Sequence, residues 1–372
     1  MIGDDLMLID EIKNIIDTID FDIIFNILEL DYYSTNVKSN YHLHKEAIIT
    51  SNAKILLSPE LKRKYNSIKL NPKYKNSIKK YITIFAKTLT EIFSDKDLTI
   101  LYNNLNRLKI KDKNSLSFIL CNLYYQLFLG FGIGAYYDSS KNLIAVDEDD
   151  LSIYHELFHM ASTIYKNKVV YSGFKQSSTS SNSYVIGRGL NEGYTELLTE
   201  RYFYIPPKEK SGYTYEVHLA KHLEMIIGQN EMTHLYLNAN LYGLLEILEN
   251  YANIDEITKF IECIDFISTY SLFCYLSDQN RATLTNSLVY VNEFLFKTYA
   301  KKLREDYRNH LIDKKEFNKL LLDYIYSLGS TAYFRYNEFQ YFEEDLKKEA
   351  TRLLNEINYL EDIDRTVKNI SM

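Results

Sequence analysis

The chain has 372 residues, 46% of them hydrophobic and 25% charged, with a net charge of −7. That is enough for a large core divided among two or three domains, in a composition ordinary for soluble globular proteins. The acidic balance gives no reason to expect nucleic acid or an anionic membrane as a partner.

The amino terminus, Met1-Ile2-Gly3-Asp4-Asp5, is acidic where a secretory signal needs positive charge, so a cytoplasmic protein is expected. Cys121, Cys263 and Cys274 are widely separated and lack any zinc-site spacing, which predicts buried free thiols in a reducing compartment. Residues 5–30 place Leu8, Ile12, Ile15, Ile19, Ile23 and Ile27 at helical spacing and predict one or two helices. Val37–Leu57 is less regular and suits short strands, on which His42 and His44 would share one face; two histidines alone are read as a surface feature. Pro59 and Pro72 bound the next segment, after which Tyr74–Phe93 and Asp97–Leu108 again have helical periodicity. Lys109–Asn114 is polar and is expected to be a break between regions.

Ser115–Leu129 reads as a buried helix. Phe118–Tyr137 has no charged residue, but Asn122, Gln126 and the glycines at 130, 132 and 134 interrupt it, so a membrane span is not expected. Gly134–Val146, with Asp138-Ser139-Ser140-Lys141-Asn142 at its centre, predicts two strands around a polar turn.

A helix follows, from Asp149 and Asp150, whose carboxylates can accept from the first free N–H groups, to about Tyr165. It carries His155-Glu156-Leu157-Phe158-His159. At 3.6 residues per turn the two imidazoles stack one turn apart on one face, free to converge on one ion, and Glu156 projects beside it. Two histidine ligands with a carboxylate placed to accept a proton from attacking water is the chemistry of the H-E-x-x-H pattern. Lys168–Lys175 then suits a strand and Gln176–Ser183 a flexible loop.

A second helix should open near Asn191, with Glu192, Glu196 and Glu200 four residues apart along one face. Like charges at that spacing repel by a few tenths of a kcal/mol each, which a divalent cation would reverse. Pro206-Pro207 closes this region, and Tyr213–Ile370, without proline, reads as five to seven helices. His218 and His222 lie one turn apart there without a glutamate between them in the catalytic position, and are expected on a solvated face.

His155-Glu156-x-x-His159 followed by Asn191-Glu192-Gly193-Tyr194-Thr195-Glu196 resembles the gluzincin metallopeptidases, over roughly residues 134–204. The resemblance implies one Zn2+ per chain, held by His155, His159 and Glu192. It also implies Glu156 as general base and Glu196 as the acid that orients a ligand histidine. The implied fold is α+β and predominantly helical: a zincin-like catalytic core with a small β-sheet, flanked by helical N- and C-terminal regions. Its boundaries would be 1–114, 115–211 and 212–372, the last region completing the cleft. An edge strand within 134–146 would lie over the cleft and take a peptide or protein substrate by β-augmentation.

Two departures leave the subfamily open. The 32 residues (160–191) between His159 and Glu192 exceed the usual spacing, the excess falling in Lys166–Ile186, and no Gly-x-Met-Glu-Asn segment of the aminopeptidases is present. A zinc-dependent endopeptidase is therefore expected. The alternative is an inactive zincin-fold binding protein whose structural zinc is closed by a fourth ligand such as His218 or His222. Candidates for stabilising the oxyanion or contacting substrate are His218, Tyr202, Tyr213, Tyr215 and Arg188.

Overall fold

A computed structural model of the chain describes residues 70, 76–94, 96–112, 134–146, 150–178, 184–203, 213–270, 278–332, 348, 350–355 and 358. The helices expected in 5–30 and 115–129, the strands and the His42/His44 pair of 37–57, and most of the uncharged stretch 118–137 lie outside them. Among the described residues no helix is long and apolar enough to cross a membrane.

Helix α1 (Asn76–Ile92) turns Ile78, Ile82, Phe85 and Leu89 inward at the spacing of one helical face. Helix α2 (Thr99–Leu105) follows, and the polar segment after it is not the expected break but begins with strand β1 (Lys109–Asp112). The expected hairpin is present as β2 (Ala135–Asp138) and β3 (Leu143–Val146), pairing Tyr137 with Ile144. Its turn is closed by Asp138, whose carboxylate accepts from the Lys141 N–H and the Ser140 hydroxyl. β1 adds to β3 in parallel, so among the described residues the sheet order is β1-β3-β2 and β2 is an edge.

The helix carrying the H-E-x-x-H pattern, α3 (Ile153–Ala161), is shorter than expected. Asp150 does accept from a backbone N–H ahead of it, that of Ser152 at 2.8 Å. At the far end the Ser162 hydroxyl bonds the Phe158 carbonyl, the Thr163 hydroxyl bonds the His159 carbonyl, and Asn104 of α2 donates to the carbonyls of Met160 and Thr163. These bonds satisfy the terminal carbonyls, and the β-branched Thr163 and Ile164 continue as strand β4 (Thr163–Lys166) rather than helix.

Strands β5 (Val169–Ser172), β6 (Lys175–Ser178) and β7 (Tyr184–Ile186) complete a four-stranded antiparallel meander in the order β4-β5-β6-β7. The extra length between His159 and Glu192 is thus ordered sheet over most of its course, and the first part of the expected flexible loop, through Ser178, is strand.

The second motif lies on α4 (Arg188–Tyr202), which opens three residues earlier than expected. Then come α5 (Thr214–Ile227), α6 (Gln229–Leu237), α7 (Leu241–Leu248), α8 (Ile254–Tyr270), α9 (Asp278–Arg308) and α10 (Lys314–Ala332). The fold is predominantly helical α+β, as expected. Among the described residues the main cluster of buried side chains runs from Ile78 on α1 to Leu328 on α10 and Ala350, with α3 inside it: Leu157, Phe158, Met160 and Ala161 are fully buried. Phe158 packs edge-on against Phe85 of α1, centroids 4.9 Å apart, which ties the first helix to the motif helix. Full burial of a side chain such as Phe158 contributes about 1.5–3 kcal/mol.

Gly189 and Gly193 permit close helix packing, against α8 and α5 rather than α3. A Cβ at Gly189 would lie 2.7 Å from the Ile264 carbonyl oxygen of α8, and one at Gly193 would lie 2.2 Å from the Glu216 carbonyl oxygen of α5. α4 is therefore clasped between α5 and α8.

Candidate metal centre

Helix α3 is apolar on nearly all sides and sits in the core, so its polar side chains are placed by packing. Only Glu156 among its residues is half-buried; the others, His155 and His159 included, are buried. α4 crosses beside it and brings its own residues onto the imidazoles. His155 Nε2 and His159 Nε2 are 3.0 Å apart, and each lies 3.2 Å from Glu192 Oε2. These three side chains form a group that could hold a metal ion, and it is the group the sequence singled out.

The donor set fits such an ion. The His155 Nδ1–H donates to Glu196 Oε2 at 2.8 Å, so the neutral ring presents a lone pair at Nε2. That lone pair faces a carboxylate oxygen and a second imidazole in a buried site, an arrangement that a metal ion among the three atoms would satisfy. A divalent ion such as zinc, at about 2.0–2.1 Å from tetrahedral ligands, keeps them about 3.3 Å apart, close to the observed triangle. A proton serves the same purpose. Burial opposes charge on His155, but hydrogen bonds with Glu192 and Glu196 outweigh it and hold its pKa well above the ordinary histidine value. Burial likewise opposes charge on Glu192, and the two imidazoles beside it hold its pKa well below the carboxylate range.

Glu156 is adjacent and differently placed. Burial raises its pKa, the nearby histidines oppose that rise, Glu192 adds to it, and the Tyr137 backbone N–H of β2 donates to its carboxylate. The edge strand and the carboxylate beside the metal group are thus in direct contact.

Behind His159 lies a set of partners that the sequence reading had not assigned. The Asn191 side-chain oxygen accepts from the Phe174 N–H at 3.0 Å, which turns its amide nitrogen toward His159 Nδ1 at 3.2 Å. Thr195 Oγ1 is 3.5 Å from the same nitrogen, donates to the Asn191 carbonyl and is 2.6 Å from the Tyr236 hydroxyl. Ligation through Nε2 would put the His159 proton on Nδ1, where the Asn191 amide nitrogen, itself a donor, cannot accept it and Thr195 Oγ1 can. Spacing could have indicated Thr195, four residues after Asn191 on the same face; no local pattern indicates Tyr236, which arrives from α6.

The remaining candidates separate by contact. The Tyr213 ring stacks on His155, centroids 5.7 Å apart at 15°. Tyr202 packs edge-on against Phe93, and the Tyr215 hydroxyl accepts from Asn292 of α9 at 3.4 Å. Arg188 is half-buried at the first position of α4, and Glu200 lies outside the metal group. His218 and His222 are not on a solvated face. His222 is 1% exposed and packs against Tyr324 of α10, because α5 is enclosed by α4, α9 and α10. The His222 Nδ1–H donates to the His218 carbonyl at 2.8 Å.

No protein-family model matches the chain, and neither a curated protein nor a solved structure is significantly similar to it.

Proposed function

We propose that the protein is a zinc-dependent peptidase of gluzincin type, acting on peptide or protein substrates as an endopeptidase. One observation carries the reading: two imidazole nitrogens and a carboxylate oxygen meet at 3.0–3.2 Å while a second carboxylate, Glu156, stands beside them. His155, His159 and Glu192 would hold the ion, and Glu196 would keep His155 in the tautomer that leaves Nε2 free. When bound, zinc would supply Lewis acidity, lowering the pKa of water and polarising the scissile carbonyl.

The chain's own residues would do the rest. Glu156 accepts the proton of the attacking water and passes it to the leaving amine, and burial moves its pKa toward the operating pH, as a general base needs. Tyr213, the candidate in ring contact with a ligand histidine, is favoured as donor to the developing oxyanion. β2, an edge strand among the described residues, meets Glu156 through the Tyr137 N–H, and an extended peptide would add along it as a further strand. Against a purely structural site stands the ligand count: among the described residues the metal group comprises three side chains, which leaves a position for water, whereas structural zinc is closed by four.

The decisive variant is Glu156→Gln. It should bind zinc at one per chain, keep its melting temperature and lose nearly all hydrolysis of a quenched peptide library, because only the proton acceptor is removed. Hydrolysis near wild type in that variant would refute the mechanism.

A further inference from the structure

α4 carries Asn191, Glu192, Thr195 and Glu196, so whatever fixes the start of this helix fixes four side chains of the metal centre. No side chain at its own N-cap position, Gly187, can cap it. Asp265, from the second half of α8, does so instead. Its Oδ2 accepts from the Gly187 N–H at 2.7 Å and its Oδ1 from the Gly189 N–H at 2.8 Å. The carboxylate is 2% exposed. It satisfies two N–H groups at the start of the helix and sets a negative charge against the positive end of the dipole.

The approach is tight on every side. Gly187 has φ +76°, and a Cβ there would lie 2.0 Å from the Phe174 carbonyl oxygen; Gly189 is closed by the Ile264 carbonyl of α8. Gly187 in turn accepts the Asn191 N–H at 3.0 Å, so a chain of bonds runs from Asp265 through Gly187 to Asn191, with Glu192 the next residue. Further along, the Tyr194 hydroxyl and the Arg201 guanidinium both donate to Glu224 of α5 and hold the helix sideways.

We propose that Asp265 is a positioning residue for the metal centre, its two-oxygen grip on Gly187 and Gly189 setting the depth at which Asn191 and Glu192 meet the histidines. The inference rests on the metal-centre reading above and adds to it a residue 73 positions beyond Glu192 (265 − 192). Metal–ligand distances hold within about 0.2 Å, so a slight axial slip of α4 is felt at the ion.

The test uses the full chain and Asp265→Asn, which keeps the shape but leaves one N–H facing an amide nitrogen and removes the charge. Zinc affinity, measured by competition with a chromophoric chelator, should fall on the order of 10-fold, as for other groups that orient ligands. The visible spectrum of the cobalt-substituted protein should shift, since it reports ligand geometry. Asp265→Glu, with its longer arm, should restore the charge but not the affinity. Val291→Ala, a core truncation on α9, serves as the control for lost stability. Unchanged affinity and cobalt spectrum in folded Asp265→Asn would overturn the proposal. So would an equal loss of affinity in the Val291→Ala control, which would reduce the effect to general loosening. Wild type that binds neither zinc nor cobalt would instead overturn the metal-centre reading itself.

Discussion

Glu192 and Glu196 stand one helical turn apart on α4, and the structure gives them different neighbours. Glu192 Oε2 is 3.2 Å from both Nε2 atoms, whereas Glu196 Oε2 is 2.8 Å from Nδ1 of His155. Removing each should therefore fail differently. Glu196→Ala takes away the acceptor for the His155 Nδ1–H and leaves a buried donor unsatisfied, a loss of about 1–3 kcal/mol. It also frees the ring to carry its proton on Nε2, where the proton blocks ligation. Outer partners of this kind typically contribute 10–100-fold in metal affinity, or about 1.4–2.8 kcal/mol, the same range reached from the hydrogen bond alone. Glu196→Gln keeps an acceptor oxygen and should recover most of the loss. Glu192→Ala deletes one of three ligands and the compensating charge, and zinc affinity should fall by several orders of magnitude. Competition titration of the purified variants, each with its melting temperature, measures both. A larger loss for Glu196→Ala than for Glu192→Ala would refute the assignment of ligand and support.

Gly193→Ala would set a Cβ 2.2 Å from the Glu216 carbonyl oxygen, and the overpacking should destabilise by about 1–3 kcal/mol in urea unfolding; a neutral result would mean that α4 and α5 separate without cost. Burial lowers the His222 pKa to about 4, so this ring stays neutral in the fold while the unfolded chain takes up a proton below about 6.5. The stability it contributes is therefore complete above that pH and is lost as pH falls toward 4, about 2 kcal/mol by pH 5. Urea midpoints at pH 7.5 and 5.0 should fall less steeply with acid in His222→Phe than in wild type, and parallel slopes would refute the assignment.

The group of side chains that could hold a metal was legible in the sequence because its information is local. Two histidines four apart on an unbroken helix must share a face, and Glu192 and Glu196 must share a face of the next one, whatever surrounds them. The same period predicted α1, α2 and the C-terminal helices, and the polar turn at 138–142 predicted the hairpin. Helix ends were less legible, because they depend on remote partners. α3 stops at Ala161 through bonds that include Asn104, and Lys109–Asp112 becomes a strand only because β3 offers it an edge.

Burial and long-range partners belonged to the tertiary structure alone. His218 and His222 have the spacing of a solvated face, yet α9 and α10 close over that helix and put His222 in the core. Gly189 and Gly193 announce close packing in the sequence, but only the assembled fold decides that α8 and α5 fill the space. Tyr236, Phe174 and Asp265 come from separate elements to hold Thr195, Asn191 and the start of α4. Periodicity along the chain records which side chains share a face of one element, whereas which element lies opposite is set by packing the whole core at once.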